Sequence, residues 1–434
     1  MNRILSSRAV RVELALLVLV IAVLYFAILW PVRDPHPKPQ PSHGVLAIRD
    51  VKIYPSPDAP PLEHANVVVR DGLIEAVGPE VPIPPEAHVL SCQGCILTAG
   101  FWNAHVHFTE EKWSYAPWTS AAKLNNQLAD MLTSRGFTTV VDASSDLRVT
   151  LSLRRRIESG DLAGPAIYTA GSGLYPPNGI PYYLKNSLPF LAQWLLPQPS
   201  TPEDAARLEE RNIGRGADLL KLFTGSYVER GKVLPMPEPI ARAAVEVAHK
   251  HGQIAYSHPS DFAGTKVARD SGVDVLAHAP DSPDGIDEAF LRSLVEHHMA
   301  MVPTLKMFST TVSKKPAYLL PIYAEVRQFH QFGGQLMFGT DVGYMTDYST
   351  DGEFDGLKLS ALGMTDILRM LTTVPSERFG VIKERGTVEV GKRADLVLLE
   401  ADPSVDVVNF SRVRFTVRNG RVIYQRSSGI VEQK

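Results

Sequence analysis

Residues 98–108 read TAGFWNAHVHF, the pattern of a buried β-strand that ends in two imidazoles. Successive side chains of a strand point to opposite faces, so His105 and His107 point the same way. Two imidazole rings on one face are able to bind one metal ion. A pair of ordinary surface histidines is the alternative, but an apolar strand led by Gly100 is a poor place for exposed rings. The stretch therefore predicts the first strand of a metal-binding barrel.

The middle of the chain repeats this strand pattern. Short apolar runs alternate with helix-like segments, which is typical of parallel strands joined by helical crossovers. Eight runs qualify as strands: residues 100–107, 138–142, 166–170, 219–223, 253–258, 274–278, 301–305 and 335–341. We therefore predict an α/β fold in which residues 98–385 form a (β/α)8 barrel of the TIM type.

Ionisable side chains fall where these predicted strands end. Barrel enzymes carry their chemistry at the carboxyl ends of the strands. Each residue alone has an ordinary explanation: a buried histidine bound to a carbonyl, an aspartate that caps a helix, or a lysine that reaches solvent. Together they predict one metal site, formed by His105, His107, Lys221, His258, His278 and Asp341.

Both ends of the chain have short β-rich runs around tight-turn signals. The dipeptides Asp71-Gly72 and Asn419-Gly420 each separate two such runs and favour two-residue hairpins. Neither end is large enough to bury an apolar face alone, so we predict that the two pair. The expected product is a small, discontinuous β-sandwich domain made of residues 44–97 and 386–427.

The N-terminal segment predicts a membrane anchor. Residues 14–32 carry no charge and are long enough to cross most of a bilayer as a transmembrane helix. Arg3, Arg8 and Arg11 precede this run, which places the bulk of the chain on the extracytoplasmic, periplasmic side. Residues 1–43 are then an anchor followed by a stiff, proline-rich tether. A cleavable signal and a secreted enzyme are the alternative.

The composition excludes some classes of protein. With 44% hydrophobic residues, 21% charged residues and a formal net charge of -3, the chain gives no signal for nucleic acid binding. Cys92 and Cys95 are the whole cysteine complement, too few for a disulfide framework or a four-cysteine zinc site. They precede a strand rather than begin a helix, which favours an incidental disulfide or two free thiols over a redox pair.

A family resemblance rests on the stretches TAGFWNAHVHF, GADLLKLFTG, IAYSHPSDFAG, GVDVLAHAP, MFGTDVG and GTVEVGKRADLVLL. Over residues 44–425 the chain resembles the amidohydrolase superfamily, and within it the binuclear members related to prolidase and imidazolonepropionase. One departure is Asn103, where many members carry aspartate. Asn103 flanks the predicted ligands His105 and His107. The departure therefore affects how the surroundings of the ligands tune the metal site more than whether the site binds metal.

The resemblance implies two divalent metal ions. By it, His105, His107 and Asp341 hold the first ion, His258 and His278 hold the second, and Lys221, carbamylated by carbon dioxide, bridges both. The chemistry is reasonable because burial favours the neutral amine that attacks carbon dioxide, and two cations stabilise the anionic product. Zinc is the default metal for imidazole and carboxylate ligands, with manganese, cobalt and iron as alternatives.

We therefore predict a metal-dependent hydrolase that cleaves a C–N bond of a small substrate, such as a dipeptide or an N-acyl amino acid, with a metal-bridging hydroxide. Asp341 is the predicted catalytic residue, which accepts a proton and passes it to the departing amine. Tyr227 is a candidate to hydrogen-bond a substrate carbonyl or carboxylate. The long connection 171–199 either covers the mouth of the barrel, packs against the barrel or faces the membrane.

Two other functions stand as alternatives. A mononuclear cyclic-amide hydrolase or deaminase leaves Lys221 unmodified and needs an acid near the fifth strand, where Asp261 stands instead of the glutamate usual in such deaminases. A catalytically silent, membrane-tethered binding protein keeps the fold without turnover, but the complete ligand set disfavours it. Metal content distinguishes the first alternative, and a substrate panel the second. The sequence carries no signal for a particular oligomeric state.

Overall fold

A computed structural model describes residues 15–20, 36–40, 42–187, 193, 196–281 and 284–427 of the chain. In these residues the strands are β1 Val45–Ile53, β2 Leu62–Arg70, β3 Leu73–Gly78, β4 His88–Ser91, β5 Ile96–Ala99, β6 Phe101–Val106, β7 Phe137–Asp142, β8 Ala166–Thr169, β9 Leu219–Leu222, β10 Gly225–Glu229, β11 Lys232–Pro235, β12 Ile254–Ser257, β13 Val275–Leu276, β14 Ala300–Met301, β15 Gln335–Leu336, β16 Leu396–Leu399, β17 Val413–Arg418 and β18 Arg421–Gln425. Eight of them form the barrel, eight form one sheet made by the two ends of the chain, and β10 and β11 form a two-stranded hairpin.

The α-helices lie mainly between the barrel strands. They span Glu111–Ser114, Ala121–Met131, Leu147–Glu158, Tyr182–Ser187, Pro202–Gly214, Glu238–Lys250, Phe262–Asp270, Glu288–Glu296, Leu305–Met307, Pro316–Gln331, Asp351–Leu359, Met364–Leu371 and Thr373–Arg378. Short 3-10 turns occur at Thr133–Arg135 and Val407–Ser411, and a π-helical turn at Phe308–Val312. Side chains such as Asp146, Thr201 and Asp287 accept backbone N–H groups at helix starts, which satisfies donors that the helix itself leaves unpaired.

The barrel consists of eight parallel strands in two ladders. One ladder has the order β6-β7-β8, and the other has the order β9-β12-β13-β14-β15. Hydrogen bonds close the ring at both seams: the Asp218 amide donates to the Thr169 carbonyl at 2.8 Å, and the Ala104 amide donates to the Phe338 carbonyl at 2.7 Å. Each predicted strand position contains one of these strands, so the predicted barrel is confirmed.

Two barrel strands end earlier than the sequence predicts. The run 301–305 was expected to be extended, but β14 ends at Met301 and Leu305 begins a short helix. The run 335–341 is a strand only at Gln335–Leu336. Thr304 and Asp341 have φ of 51° and 55°, in the left-handed region, which a continuing strand does not allow. After β14 and β15 the backbone therefore stops pairing with neighbouring strands, and Thr304 and Asp341 follow at the carboxyl-end mouth of the barrel.

Both ends of the chain share one eight-stranded sheet of order β18-β17-β16-β5-β1-β2-β3, with β4 beside β1. The predicted pairing of the two ends is therefore present, but their described strands form one hydrogen-bonded sheet where the prediction was a β-sandwich of two sheets. The contact between the two ends is the antiparallel pair β5 and β16, in which Thr98 lies opposite Val397. The predicted hairpins are present, because β2 pairs with β3 and β17 pairs with β18. One buried apolar cluster includes residues from both ends, such as Ile48 and Leu398. The domain boundaries between residues 43 and 44 and between residues 385 and 386 stay a prediction.

Cys92 and Cys95 form a disulfide, one of the two states that the sequence left open. No helix in the described part of the chain combines the length and apolar character that a membrane crossing requires. The predicted membrane segment, residues 14–32, lies outside the described residues except for 15–20, which are helical. The anchor therefore stays a prediction.

Candidate metal centre

The structure brings the six predicted site residues to the carboxyl-end mouth of the barrel. Three of the six lie on or beside the first and fourth barrel strands, and three follow later strands: His105 on β6, His107 just after it, Lys221 on β9, His258 after β12, His278 after β13 and Asp341 after β15. His105, Lys221, His278 and Asp341 are buried. Their positions follow from the parallel barrel, in which all carboxyl ends meet at one rim.

Three ligand atoms of this group nearly touch. The Nε2 atoms of His105 and His107 are 3.2 Å apart. Oδ1 of Asp341 lies 3.3 Å from the first nitrogen and 3.0 Å from the second. Among the described residues this oxygen has no hydrogen-bond partner although it is buried, which requires a cation or a proton to offset its desolvation.

The hydrogen-bond partners of the two Nδ1 atoms show which ring nitrogen of each histidine carries a hydrogen. Nδ1 of His105 lies 2.7 Å from the carbonyl oxygen of Ala277, and Nδ1 of His107 lies 2.9 Å from that of Ser144. A carbonyl only accepts, so each Nδ1 is the donor and each Nε2 faces Asp341, with a lone pair available wherever the ring is neutral. Burial, and then the charge of Lys221, hold the pKa of His105 well below its usual range, so this ring stays neutral. Three electron-pair donors that face one another fit a bound cation.

His278 and His258 extend the cluster on the other side. The rings of His105 and His278 lie 4.5 Å apart by centroid, and those of His258 and His278 lie 4.6 Å apart. His105, His278 and Asp341 each offer a ligand atom within 4.8 Å of the others. Burial lowers the pKa of His258 to about 3 and that of His278 well below its usual value, which keeps both rings neutral as metal binding requires.

Thr304 orients His278. Its Oγ1 lies 2.8 Å from the Pro303 carbonyl, to which it donates, and 2.7 Å from Nδ1 of His278. Because the hydroxyl hydrogen is already used, Thr304 accepts from His278 and leaves Nε2 of that ring with its lone pair. The sequence analysis missed Thr304, because nothing in the local sequence indicates its left-handed backbone.

Lys221 is buried beneath these rings. Burial lowers its pKa to about 7, and the negative charge of Asp341 opposes this shift. Its Nζ lies 5.5 Å from the ring centroid of Phe223. Phe223 is itself stacked between Tyr175 at 4.4 Å and His258 at 5.1 Å. An amine with a pKa near neutrality is reactive toward carbon dioxide, since much of it is unprotonated at pH 7.

Tyr227 and Asn103 have defined partners. The Tyr227 hydroxyl donates to Oδ1 of Asp281 at 2.6 Å, so its hydrogen points to a carboxylate, and its oxygen keeps lone pairs for a donor. Burial raises the pKa of Asp281 to about 6. Asn103 is buried and joins the first and eighth strands: its side chain donates to the Thr340 hydroxyl at 2.7 Å and accepts from the His105 amide at 3.2 Å. Asn103 therefore holds the backbone of a predicted ligand. The sequence analysis missed Asp281, whose only signal is its place three positions beyond His278.

Comparisons with known proteins agree with this geometry. A family model described as the amidohydrolase family matches residues 96–423. The chain is 22% identical over 397 residues to ochratoxinase of Aspergillus niger, covering 81% of each chain. Among solved structures, a Xaa-Pro dipeptidase with bound methionine superposes with a TM-score of 0.74 at 21% identity, over 88% of this chain and all of that one. A putative prolidase from Bifidobacterium longum gives a TM-score of 0.70 at 25% identity, over 88% and 95%.

Proposed function

The chain belongs to the amidohydrolase family and is a metal-dependent amidohydrolase, and on this premise we propose that it hydrolyses the amide bond of a dipeptide or an N-acyl amino acid. The observation that carries the proposal is the approach of His105 Nε2, His107 Nε2 and Asp341 Oδ1 to within 3.3 Å of one another, while this buried carboxylate oxygen has no hydrogen-bond partner among the described residues. Such a cluster is built for a cation.

The proposed ligands form two sets. His105, His107 and Asp341 would hold one divalent ion, His258 and His278 would hold a second, and a carbamylated Lys221 would complete both sets. Zinc suits this mixture of imidazole and carboxylate. When bound, the ions lower the pKa of water and polarise the scissile carbonyl. The residues themselves contribute oriented ring nitrogens and, at His105, His258 and His278, rings that burial keeps neutral.

Lys221 is proposed to carry a carbamate. The free electron pair of its unprotonated amine attacks the carbon of carbon dioxide, one N–C bond forms, and the nitrogen releases one proton to solvent. Support comes from the burial that lowers the pKa of this amine to about 7. The product is a carboxylate, which converts a buried cation-forming side chain into an anionic ligand.

Asp341 is proposed to move the proton during hydrolysis. Its backbone is held because its amide donates to the His105 carbonyl at 2.9 Å, and the carboxylate is buried beside two imidazoles. From there it accepts a proton from the attacking water and returns it to the nitrogen of the departing amine, so the amine leaves as a neutral group.

The proposed location is the extracytoplasmic face of a membrane. It rests on the uncharged run 14–32 and the arginines before it. Cell fractionation of the full chain, followed by protease treatment of intact cells, tests it. Membrane-bound enzyme that the protease cleaves supports a retained anchor, enzyme in the medium supports the cleaved signal, and enzyme protected in the cytosol contradicts both.

The test of function uses the full chain in detergent, loaded with zinc. Metal content is measured per chain, and hydrolysis is measured on a panel of dipeptides and N-acyl amino acids. Two ions per chain with turnover of panel members support the proposal. One ion per chain with turnover of a cyclic amide supports the mononuclear alternative. Two ions with no turnover on a broad amide and ester panel support the binding protein.

A further inference from the structure

The connection between β8 and helix Pro202–Gly214 begins with residues that are hydrogen-bonded to the fourth barrel strand. The Leu174 amide donates to the Lys221 carbonyl, and the Phe223 amide donates to the Leu174 carbonyl, both at 2.9 Å. Farther along, the Ser226 hydroxyl donates to the Gly179 carbonyl at 2.5 Å. The described part of this connection is therefore tied to the fourth barrel strand and to the hairpin that follows it. Its residues 171–187, called the cover below, therefore begin at the carboxyl end of that strand.

This cover carries tyrosines that reach the opposite side of the rim. The rings of Tyr183 and Tyr344 lie 5.7 Å apart, and Tyr182 packs on Tyr183 at 5.6 Å. Tyr344 lies three positions beyond Asp341, in a tight loop closed by a 3.2 Å hydrogen bond from the Met345 amide to the Asp341 carbonyl. Residues that follow the third and the eighth barrel strands thus meet above the first strand, where the predicted ligands begin.

The tyrosine rings present neutral, apolar faces next to Asp341. Burial, and then the neighbouring tyrosines and the charge of Asp341, hold the pKa of Tyr183 well above its usual value, so its hydroxyl stays protonated. Tyr344 is 46% exposed, so part of its ring is open to a ligand at the mouth. Aromatic rings of this kind bind flat or bulky apolar groups by stacking and edge contacts.

Two further lysines of this rim, besides Lys221, are already engaged with acidic groups. Nζ of Lys112 lies 3.2 Å from the Glu110 carboxylate, and Nζ of Lys306 lies 2.9 Å from the Asp347 carboxylate. What the rim near Asp341 offers to a substrate is therefore aromatic surface. Since Asp341 returns the proton to the departing amine in the proposed mechanism, this surface lies beside the amine half of the substrate.

We propose that Tyr183 and Tyr344 form a subsite that binds an aromatic or bulky apolar side chain on the amine half of the substrate. This inference rests on the proposed amide hydrolysis and narrows its substrates to amides of amino acids such as phenylalanine. Each ring contributes to the preference for such a side chain over a methyl group.

The experiment compares kcat/KM for N-acetyl-L-phenylalanine with N-acetyl-L-alanine, and for Gly-Phe with Gly-Ala, in the zinc-loaded full chain. Binding of the products phenylalanine and alanine is measured in parallel by competitive inhibition. The variants are Tyr183→Ala, Tyr344→Ala and Tyr183→Phe, and the control is Tyr424→Ala, a half-buried tyrosine of β18 in the terminal sheet. Circular dichroism of each variant reports on folding.

The wild type is expected to favour the phenylalanine substrates, and each alanine variant is expected to lower the ratio about tenfold, because one aromatic contact is worth up to about that factor. Tyr183→Phe and Tyr424→Ala should keep the ratio. Hydrolysis of all four amides without preference, or alanine variants with an unchanged ratio, overturns the subsite and leaves the proposed function standing. Absence of hydrolysis of every amide overturns the function itself. If Tyr183→Ala does not fold, the exposed Tyr344 still decides the question.

Discussion

Replacing Thr304 by valine removes the hydroxyl that orients His278 and keeps nearly the same shape. Thr304 is fully buried, and its oxygen lies 2.7 Å from Nδ1 of His278. Without it, a buried imidazole N–H has lost its partner, which costs about 1–3 kcal/mol. That free energy corresponds to a factor of about 5 to 150 in affinity. Loss of a hydrogen bond behind a ligating histidine commonly weakens metal binding about 10- to 100-fold.

The assay for Thr304→Val is zinc affinity, measured by competition with a chromophoric chelator. The variant should release zinc at lower chelator concentration than the wild type, by about one to two decades. Thr304→Ser retains a hydroxyl and should restore most of the affinity. A matched control is Thr265→Val, which removes a buried hydroxyl whose hydrogen-bond partner is the Asp261 carbonyl, at 2.6 Å, and not His278. Equal zinc affinity in the two valine variants refutes the reasoning.

Three further predictions follow from single residues. Asp341→Asn should retain metal but lose turnover by about 10²- to 10⁴-fold, as measured by kcat beside metal content, because the proton acceptor is gone; near wild-type turnover contradicts the role. At a fixed concentration of dissolved carbon dioxide, reactivation of metal-free enzyme by zinc should accelerate as pH rises through about 7 and then level off, because the neutral Lys221 amine is the nucleophile; a rate independent of carbon dioxide contradicts carbamylation. Burial raises the pKa of Glu209 from 4.5 to about 8, so the unfolded chain ionises first and stability falls between those values, by up to about 1.4 kcal/mol per pH unit. Glu209→Gln should therefore gain stability over the wild type in urea unfolding at pH 8 and much less at pH 5; an equal difference at both pH values rules out this cause.

The sequence predicts the barrel well because its signals are local and periodic. Each of the eight strands is a short apolar run, and residues such as His258 and His278 stand next to these runs in the chain. Parallel strands gather their carboxyl ends at one rim, so residues distant in sequence meet without any further information. The two terminal hairpins are likewise predicted by local signals, the Asp-Gly and Asn-Gly turns.

The features that the sequence does not predict depend on contacts between distant segments. The left-handed backbone at Thr304 and Asp341 shortens two strands, and no residue preference at those positions indicates it. The contact between Tyr183 and Tyr344 joins loops that follow different strands. The hydrogen bond from Tyr227 to Asp281 also crosses between strands, so Tyr227 alone looked available to substrate.

The central claim is that six side chains at the mouth of the barrel, four of them buried, hold two cations, with Lys221 modified to reach both. Anomalous X-ray diffraction from crystals of the zinc-loaded, bicarbonate-treated enzyme, recorded at the zinc edge, tests it most directly. The account predicts two anomalous peaks, one beside His105, His107 and Asp341 and one beside His258 and His278, with carboxylate density on the lysine between them. A single peak, or density that ends at the lysine nitrogen while both peaks are present, contradicts it.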